Sequence, residues 1–559
     1  MRNSFIELNA RDRAKSVLDK GTFKELLGPF EKFKSPHLEP QGIVPENDDG
    51  VIIAKGKIDN KSVVIISMEG AFQGGGVGEV SGAKFAGALE LALKDNEKGI
   101  KTYPIVIFDT GGVRLQEANY GLLAISEIQS AVVALRNYVP VTGIIPGKIG
   151  CFGGMSMTAA LFTTIIITPQ GRLTLNGPEV IEQEAGVMEL DSKDKKLIWN
   201  TIGGIQRQAV NLVDVLVEDD ITEMNGAVSA AISSSTEKTP RCEQVELYLN
   251  RLKAIDPSKP LTYLDLRELW GKNSSAPKAD VPVKNISDEK VISRGRTWFE
   301  NLTGLKDFKA KGVGSVLCTD AVLGNETVRY ISVVPDPNAR YPRARQGEVG
   351  LEEGWTIAKY IHEVVKEDKD KDVKRAIIAV VDVPSQAYGY KEELLGISQS
   401  CAAAVNAYAK ARMSGHPIIS LIVGNAISGA FLAHGYQANR LLALDDDGVL
   451  IHAMSKQSAA RITKRSVAEL EEAAKTVPAI AYDIRSYSTL GSLHELIENI
   501  NADSPKKIDI KTIKTILCDS IKDVRESSTD IKCRLDTKRA KIGRSYSVEV
   551  RKILEKEWN

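Results

Sequence analysis

The sequence predicts an α/β protein of two related domains in tandem, each with a mostly parallel sheet and helices packed around it. The main observation is a pattern that occurs twice, in which an apolar strand, a turn, an amphipathic helix, a second apolar strand and a glycine turn follow one another. The interval from Asp109 to Gly154 is nearly as long as that from Asp382 to Gly429. The chain is also too long, at 559 residues, for one hydrophobic core.

The first half shows its elements in the order helix, strand pair, glycine loop, helix and alternating strands. Residues 8–30 are polar and predict a helix, and residues 50–67 alternate around an Asp-Asn pair, which predicts a β-hairpin. A glycine-dense loop over residues 72–82 precedes residues 83–94, whose apolar positions recur at helical spacing. Further strands are predicted near residues 104–108, 141–145 and 163–168.

The second half follows a change in composition. Serine, proline and charged residues replace the periodic apolar pattern, so we predict a linker at residues 273–288 between a first domain, residues 1–272, and a second domain, residues 289–559. Strands are predicted over residues 315–320 and 328–335. From about Ser466 the chain is polar, and we predict a largely helical tail that packs on the domains or on a partner.

Composition and charge exclude several classes of function. Lysine plus arginine and aspartate plus glutamate both number 73, so no overall field attracts nucleic acid or an acidic membrane. The first residues contain no apolar segment typical of a secretory signal, and no stretch approaches the about 18 apolar residues of a membrane span. We therefore expect a cytoplasmic protein with no membrane span and no nucleic-acid partner.

Cysteine and histidine usage gives no sign of a metal site. The six cysteines include no C-x-x-C pair, so neither a zinc ribbon nor a disulfide scaffold is indicated. The six histidines form no H-E-x-x-H motif. We expect reduced thiols, no catalytic metal and no cofactor bound by this chain.

The glycine turns suit chemistry that places negative charge on a thioester oxygen. Loss of carboxylate from a malonyl thioester, or deprotonation of an acetyl thioester, creates such an oxyanion, which backbone N–H groups at a turn and a helix N-terminus stabilise. In the first half Gly112 and Val113 follow a strand, while Gly153 and Gly154 open a helix. We predict that these four residues form an oxyanion hole, although a Gly-Gly pair taken alone is usually only a tight turn.

Side chains near both turns are candidates for substrate binding. Arg114 and Gln116 either fix the loop, lie on a surface helix or bind an anionic group, and the sequence does not separate these roles. In the second half Gly429 and Ala430 open a helix and predict a second anion hole. A lone histidine on an apolar helix is usually structural, but His434 is the best histidine candidate for proton delivery. The facing turn contributes Gln386, Ala387 and Tyr388.

These residues resemble the carboxyltransferase family, whose two crotonase-like domains serve acyl-CoA carboxylases. Residues 109–117 resemble that family's D-S-G-G-A-R-x-Q-E signature. More narrowly, the chain resembles the malonate decarboxylase β subunit at residues 111–119, 151–154 and 176–181, and its γ subunit at residues 383–389, 392–396, 428–435, 437–440 and 451–454. The resemblance covers roughly residues 5–260 and 288–500.

The resemblance implies β-like and γ-like subunits fused in one chain, with two crotonase-like domains in carboxyltransferase architecture. Such a unit acts on a malonyl thioester carried by the phosphopantetheine-type prosthetic group of an acyl-carrier protein subunit, beside other subunits such as an acyl transferase, and an oligomer is compatible with it. Carried over, the first oxyanion hole falls on Gly112 and Val113, with Gly153 and Gly154 nearby. The second hole falls on Gly429 and Ala430.

The sequence leaves more than one function open. The first is decarboxylation of a malonyl thioester on the carrier to the acetyl thioester and carbon dioxide. The second is transfer of the carboxyl group to biotin on a separate carrier, because this chain has no A-M-K-M biotinylation site. The helical tail suggests a third, non-catalytic hypothesis, a scaffold that binds an acyl carrier. We assign the first hole to the thioester oxygen and the second to the departing carboxyl group or its acceptor.

Overall fold

Each half of the chain contains one large sheet in the computed structural model, which describes residues 3–235, 239–271, 287 and 290–558. In the first half, strands β1–β9 are Lys24–Leu26, Val51–Ile58, Lys61–Met68, Tyr103–Ile107, Thr142–Ile145, Cys151–Phe152, Thr164–Ile167, Leu173–Thr174 and Val215–Leu216. In the second half, strands β10–β16 are Val316–Leu323, Glu326–Val333, Ile377–Val383, Ile418–Ile427, Arg440–Leu444, Leu450–His452 and Glu495–Ile497.

Helices surround both sheets. Those before residue 272, α1–α10, are Ala10–Val17, Glu79–Glu97, Ala118–Leu135, Gly153–Ala160, Pro178–Ala185, Lys195–Ile202, Gly204–Ala209, Ile221–Ile232, Val245–Lys253 and Tyr263–Trp270. Those after residue 290, α11–α21, are Arg294–Thr303, Leu351–Glu367, Tyr390–Leu394, Ile397–Met413, Ser428–Ala433, Lys456–Thr463, Val467–Thr476, Ile484–Ser488, Lys507–Arg525, Lys538–Gly543 and Ser545–Glu557.

The two sheets share the topology of their central strands, as the duplication predicts, and differ at β1 and β15. The first has the strand order β1-β2-β3-β4-β5-β7-β9 and the second the order β10-β11-β12-β13-β14-β16, with β15 also paired to β13. Each contains an antiparallel hairpin, β2–β3 or β10–β11, that is followed by parallel strands. Strands β6 and β8 form a separate two-stranded sheet beside the first. The predicted α/β class with mostly parallel sheets is confirmed.

Local predictions meet different outcomes. The hairpin is confirmed, because Asp59 and Asn60 adopt left-handed φ values of 50° and 64° between β2 and β3, as a two-residue turn requires. The helix predicted over residues 8–30 is wrong beyond Val17, because Gly21 has φ 83° and β1 then pairs with β2 along the sheet edge. The polar tail is largely helical, yet it also supplies the strand β16.

Helix α3 corrects the expectation about apolar segments. The helical segment Leu115–Leu135 is long and apolar enough to cross a membrane, and 94% of its most apolar window is buried inside the protein. It packs against α2 and α4 of the first half and α14 of the second. The segment is therefore this apolar because it lies in the core between the two halves.

The predicted linker lies outside the described residues except for Ser287. That residue exchanges hydrogen bonds with Asn338, whose Oδ1 accepts from the Ser287 N–H and whose Nδ2 donates to the Ser287 carbonyl. The domain division at residues 273–288 thus stays a prediction.

The C-terminal helix α21 packs on the first half. Leu554 is fully buried beside Gly87 of α2, where a Cβ atom added to Gly87 would lie 3.2 Å from the Leu554 Cδ2. Arg551 pairs with Glu127 of α3 at 2.7 Å, and the Trp558 indole N–H donates to Asp95 at 2.9 Å. The tail predicted to pack on the domains therefore joins the end of the second half to the first.

Replacing Leu554 with alanine should lower the free energy of unfolding by about 2–5 kcal/mol, because it leaves a cavity at a fully buried contact. Urea titration followed by circular dichroism measures this change. The matched control is Lys552→Ala on the exposed side of the same helix, which should change stability by less than about 0.5 kcal/mol. Equal effects of the two variants would contradict the packing role of α21.

Candidate active site

The two glycine turns of the first half touch each other. Gly112 lies after β4 with φ 102°, and Gly153 opens α4 with φ 59°. A Cβ atom added to Gly112 would lie 3.0 Å from the Phe152 carbonyl oxygen and 3.2 Å from the Gly153 Cα. The backbone can approach this closely only without a side chain, which is why glycine is needed at position 112.

Asp109, two residues after β4, fixes the segment that leads to the Gly153 turn. Its Oδ1 accepts the N–H groups of Ile149 at 2.6 Å and Gly150 at 3.3 Å, and its Oδ2 pairs with the buried Arg13 at 2.8 Å. Thr110 also bridges to Cys151 as two parallel strands do. The turns are therefore held in register before any substrate binds.

Two of the four predicted donors point to backbone acceptors or side chains already present. The Gly112 N–H donates to Thr110 Oγ1 at 3.0 Å, and the Gly153 N–H donates to the Leu175 carbonyl at 3.2 Å. Within the described residues, the N–H groups of Val113 and Gly154 have no acceptor. Gly112 and Gly153 thus shape the turns, while Val113 and Gly154 offer the unoccupied donors.

The two glycine turns of the first half are partly open to solvent. Val113, Phe152 and Gly153 are partly exposed, whereas Gly154 is buried against Leu432 of α15. The Gly154 donor therefore lies at the contact between α4 of the first half and α15 of the second. The hole predicted at Gly112, Val113, Gly153 and Gly154 stays a prediction, now with unequal roles for its members.

Arg114 fixes the loop that follows β4 through two buried ion pairs. Its Nη1 pairs with Asp49 at 2.6 Å and with Glu117 at 2.8 Å, and all three side chains are buried. Burial alone would raise the pKa of Glu117, but the Arg114 charge brings that pKa below its ordinary value. Of the roles left open for Arg114, this geometry favours loop fixation, while a contact with substrate stays a prediction.

Gln116 follows Arg114 by two residues, in the short 3₁₀ helix Leu115–Glu117. Its side chain is partly exposed, and its carbonyl oxygen accepts from Gln41 Nε2 at 2.8 Å. No described residue bonds to its side-chain amide. Its predicted role in substrate binding stays untested.

The second half repeats the geometry with different residues. Val77 bridges to Val113 in the first half as Val349 bridges to Gln386 in the second. Ser428 opens α15 with φ 60°, the value that Gly153 has at the start of α4. By position, Gln386 therefore corresponds to Val113, and Gly429 corresponds to Gly154.

In the second half the corresponding donor is occupied. The Gly429 N–H donates to the side-chain Oε1 of Gln386 at 3.0 Å. The Ala387 N–H donates to the Val349 carbonyl, and the Ala430 N–H has no acceptor among the described residues. The two halves thus differ in what their donors meet, and the anion hole predicted at Gly429 and Ala430 stays a prediction.

Tyr388 and His434 lie in different surroundings. Tyr388 is partly exposed, and burial of its hydroxyl raises its pKa, while nearby Ser428 and Gln386 oppose the shift. His434 is fully buried, with Nδ1 3.0 Å from the Tyr408 hydroxyl and Nε2 3.2 Å from the Val380 carbonyl. Burial lowers the pKa of His434 to about 4. These contacts support packing, and its predicted contact with substrate stays a prediction.

Glu392 lies just after the turn of the second half that holds Gln386 and Tyr388, and its carboxyl group packs against Gly389. Burial raises the pKa of Glu392 to about 7. Its folded pKa thus exceeds the unfolded value, so its stabilising contribution is complete below about pH 4.5 and is lost as pH rises through 7.

Between pH 5 and pH 8, wild type should therefore lose about 1–3 kcal/mol more stability than Glu392→Gln, in which no proton is released. Urea titration at each pH measures the difference. Glu526→Gln on the surface is the control and should follow wild type. Parallel pH profiles for wild type and Glu392→Gln would contradict the assignment.

Sequence reasoning missed the residues that hold the turns in place. Asp109 accepts two backbone N–H groups, and Asp382, at the end of β12, accepts those of Asn425 at 3.0 Å and Gly295 at 3.0 Å. Asn176 and Glu393 join the two halves. The available signal was an aspartate at or just beyond the end of a buried strand in both copies.

Other candidate sites lie away from the turns. Among the described residues, no group of three or more histidine, cysteine, aspartate or glutamate side chains could hold a metal ion. The six cysteines are free thiols. A cavity of about 820 Å³ lies between α9, α12 and residues 307–314, and none of the predicted site residues lines it.

Comparisons with known proteins decide the family. Residues 7–274 match the carboxyl transferase domain model, and residues 344–558 match the malonate decarboxylase gamma subunit model. The chain is 38% identical to malonyl-S-ACP:biotin-protein carboxyltransferase MADC of Malonomonas rubra, over 48% of this chain and 88% of that protein. The chain belongs to the carboxyl transferase family. The two successive matches fit β-like and γ-like subunits fused in this carboxyl transferase, and the predicted family and tandem architecture are confirmed.

Further relatives carry related names. This carboxyl transferase is 34% identical to malonyl-S-ACP:biotin-protein carboxyltransferase MADD of M. rubra, over 38% of its own length and 78% of that protein. A crystal structure of a Pseudomonas malonate decarboxylase hetero-tetramer in complex with malonate is 51% identical, covering 48% of this chain and 96% of that one, with a TM-score of 0.47.

Proposed function

We propose that this carboxyl transferase decarboxylates a malonyl thioester on an acyl-carrier subunit, giving the acetyl thioester and carbon dioxide within a malonate decarboxylase complex. The observation that carries the proposal is the pair of N–H groups of Val113 and Gly154, which have no acceptor among the described residues and lie where two glycine turns touch. The names of the M. rubra relatives, which act on malonyl-S-ACP, support the substrate class.

Decarboxylation chiefly requires stabilisation of the enolate oxygen, which these two donors provide. The bond between C2 and the carboxyl carbon breaks, and its electron pair moves into the thioester as an enolate. The Val113 and Gly154 N–H groups stabilise the oxyanion, and a proton from solvent then adds at C2 as carbon dioxide leaves. Because the turns are fixed by Asp109 and Arg114, the donors need no rearrangement as charge develops.

The second candidate function is carboxyl transfer to biotin on a separate carrier. The observation that favours it is the biotin-protein carboxyltransferase name of both M. rubra relatives. In that reaction the carboxyl group moves to a ureido nitrogen of biotin, whose proton ends on the acetyl methyl group. The carrier's phosphopantetheine-type group and, in this alternative, biotin would both reside on other chains, and we expect the complex to include an acyl transferase and to be cytoplasmic.

Purified protein given malonylated carrier alone distinguishes the two functions. We expect carbon dioxide and acetylated carrier to form without biotin, in amounts equal to the malonyl thioester consumed. If acetylated carrier forms only after biotinylated carrier is added, and the carboxyl group is then found on biotin, direct decarboxylation is rejected and transfer is adopted. A protein that binds malonylated carrier but turns over under neither condition would instead support the scaffold hypothesis.

A further inference from the structure

The Gln386 side chain occupies the donor of the second half that corresponds to the free Gly154 N–H of the first half. In the first half the Val113 and Gly154 N–H groups have no acceptor among the described residues. In the second half the corresponding N–H of Gly429 is bonded to the Gln386 Oε1 at 3.0 Å. The side-chain carbonyl of Gln386 thus takes the position of an external oxygen acceptor.

A buried network fixes the orientation of this amide. Glu393 accepts the backbone N–H groups of Leu175 at 3.2 Å and Asn176 at 2.6 Å. The Asn176 Nδ2 donates to the Ala387 carbonyl at 2.9 Å, which leaves its Oδ1 as an acceptor. The Gln386 Nε2 must therefore face Asn176 Oδ1, at 2.8 Å, and its Oε1 must face Gly429.

The network is both buried and shared between the halves. Asn176, Gln386 and Glu393 are each at most 4% exposed. Breaking any bond among them would leave a buried polar group without a partner, which costs about 1–3 kcal/mol. The Gln386 carbonyl is consequently held at Gly429 as a fixed part of the structure rather than as one of several side-chain positions.

A carboxyl acceptor such as biotin needs a backbone donor like the Gly429 N–H, which the Gln386 side chain occupies. When a ureido nitrogen loses its proton to take the carboxyl group, negative charge spreads to the ureido oxygen, and hydrogen-bond donors must stabilise it. The first donor pair is committed to the thioester oxygen under the proposed function. With Gly429 bonded to Gln386, the donor that corresponds to Gly154 is closed to an acceptor of this class, and the Ala430 N–H alone stays without an acceptor among the described residues.

We propose that Gln386 is a specificity-determining residue that blocks a ureido acceptor and so commits the carboxyl group to release as carbon dioxide. The inference rests on the proposed function for its reaction, but its binding test does not. Shortening the side chain exposes the Gly429 N–H, and the space vacated admits a ureido oxygen.

The test uses biotin methyl ester as the probe and the full chain as the protein. Calorimetric titration should detect at least tenfold tighter binding to Gln386→Ala than to wild type. With a malonyl thioester labelled in its free carboxyl group, the ratio of carboxylated biotin methyl ester to carbon dioxide should also rise at least tenfold. Gln386→Met is the matched control, since it fills the same space without a carbonyl and should bind the probe no better than wild type.

Two further variants guard against misfolding. Asn176→Ala releases the Gln386 amide from its anchor and should raise probe affinity by a smaller factor if Gln386→Ala does not fold. Gln399→Ala removes a buried glutamine of α14 that donates to the Ala160 carbonyl, and it should not raise probe affinity. Circular dichroism and thermal unfolding identify the folded variants.

Each outcome decides the inference. Wild type that binds the probe as tightly as Gln386→Ala, or that carboxylates it as readily, overturns the blocking role. Tighter binding to Gln386→Ala supports that role even if wild type releases no carbon dioxide from malonylated carrier, a result that would reject only the proposed function. Equal binding by all folded variants overturns the inference while leaving decarboxylation intact.

Discussion

Replacing Gly112 with alanine is expected to lower kcat for malonyl thioester decarboxylation by about 10²- to 10³-fold, the usual loss when one oxyanion donor is misplaced. The φ of 102° lies outside the conformations that alanine adopts readily, and the new Cβ would meet the Phe152 carbonyl at 3.0 Å and the Gly153 Cα at 3.2 Å. The two turns must therefore move apart, which displaces Val113 from Gly154. Steady-state assays with malonylated carrier measure the loss.

The neighbouring glycine provides the control. Gly111 is exposed, and a Cβ atom added there would meet only the Gly74 carbonyl, at 3.4 Å. Gly111→Ala should therefore keep kcat within about threefold of wild type. For scale, a tenfold change in rate corresponds to about 1.4 kcal/mol of activation free energy. A Gly112→Ala enzyme that is folded and as active as Gly111→Ala would remove the first turn from the proposed oxyanion hole.

Replacing Arg114 with alanine is expected to cost about 3–5 kcal/mol of stability, because Asp49 and Glu117 would remain buried without their cation. The loop after β4 is held by this guanidinium, so the loss should also lower the decarboxylation rate of the protein that stays folded. Urea titration gives the stability change, and the assay with malonylated carrier gives the rate.

Two comparisons isolate the buried charge. Lys475→Ala breaks an exposed ion pair with Glu472 and should change stability by less than about 0.5 kcal/mol. Combining Arg114→Met with Asp49→Asn and Glu117→Gln removes all three charges and should recover a large part of the lost stability. Recovery of none of it would show that charge burial is not the source of the effect.

The pattern of apolar residues determined much of the fold. The β2–β3 hairpin, the strands β4, β5 and β7 and the duplication were all predictable, because strand periodicity and turn residues act over short distances along the chain. The edge strand β1 was not predictable from residues 8–30. Its conformation depends on pairing with β2, a contact between residues distant in sequence.

The candidate site shows the same division. The sequence by itself determined the family, the two glycine turns and the positions where backbone donors could lie. The Gly112 N–H bonds to its near neighbour Thr110, but only the tertiary structure decided that Leu175 occupies the N–H of Gly153. It also decided that Gln386 fills the second donor position, through Asn176 of the other half. Gln386 and Asn176 are distant along the chain and meet only when the two halves pack, so a local sequence pattern cannot contain this contact.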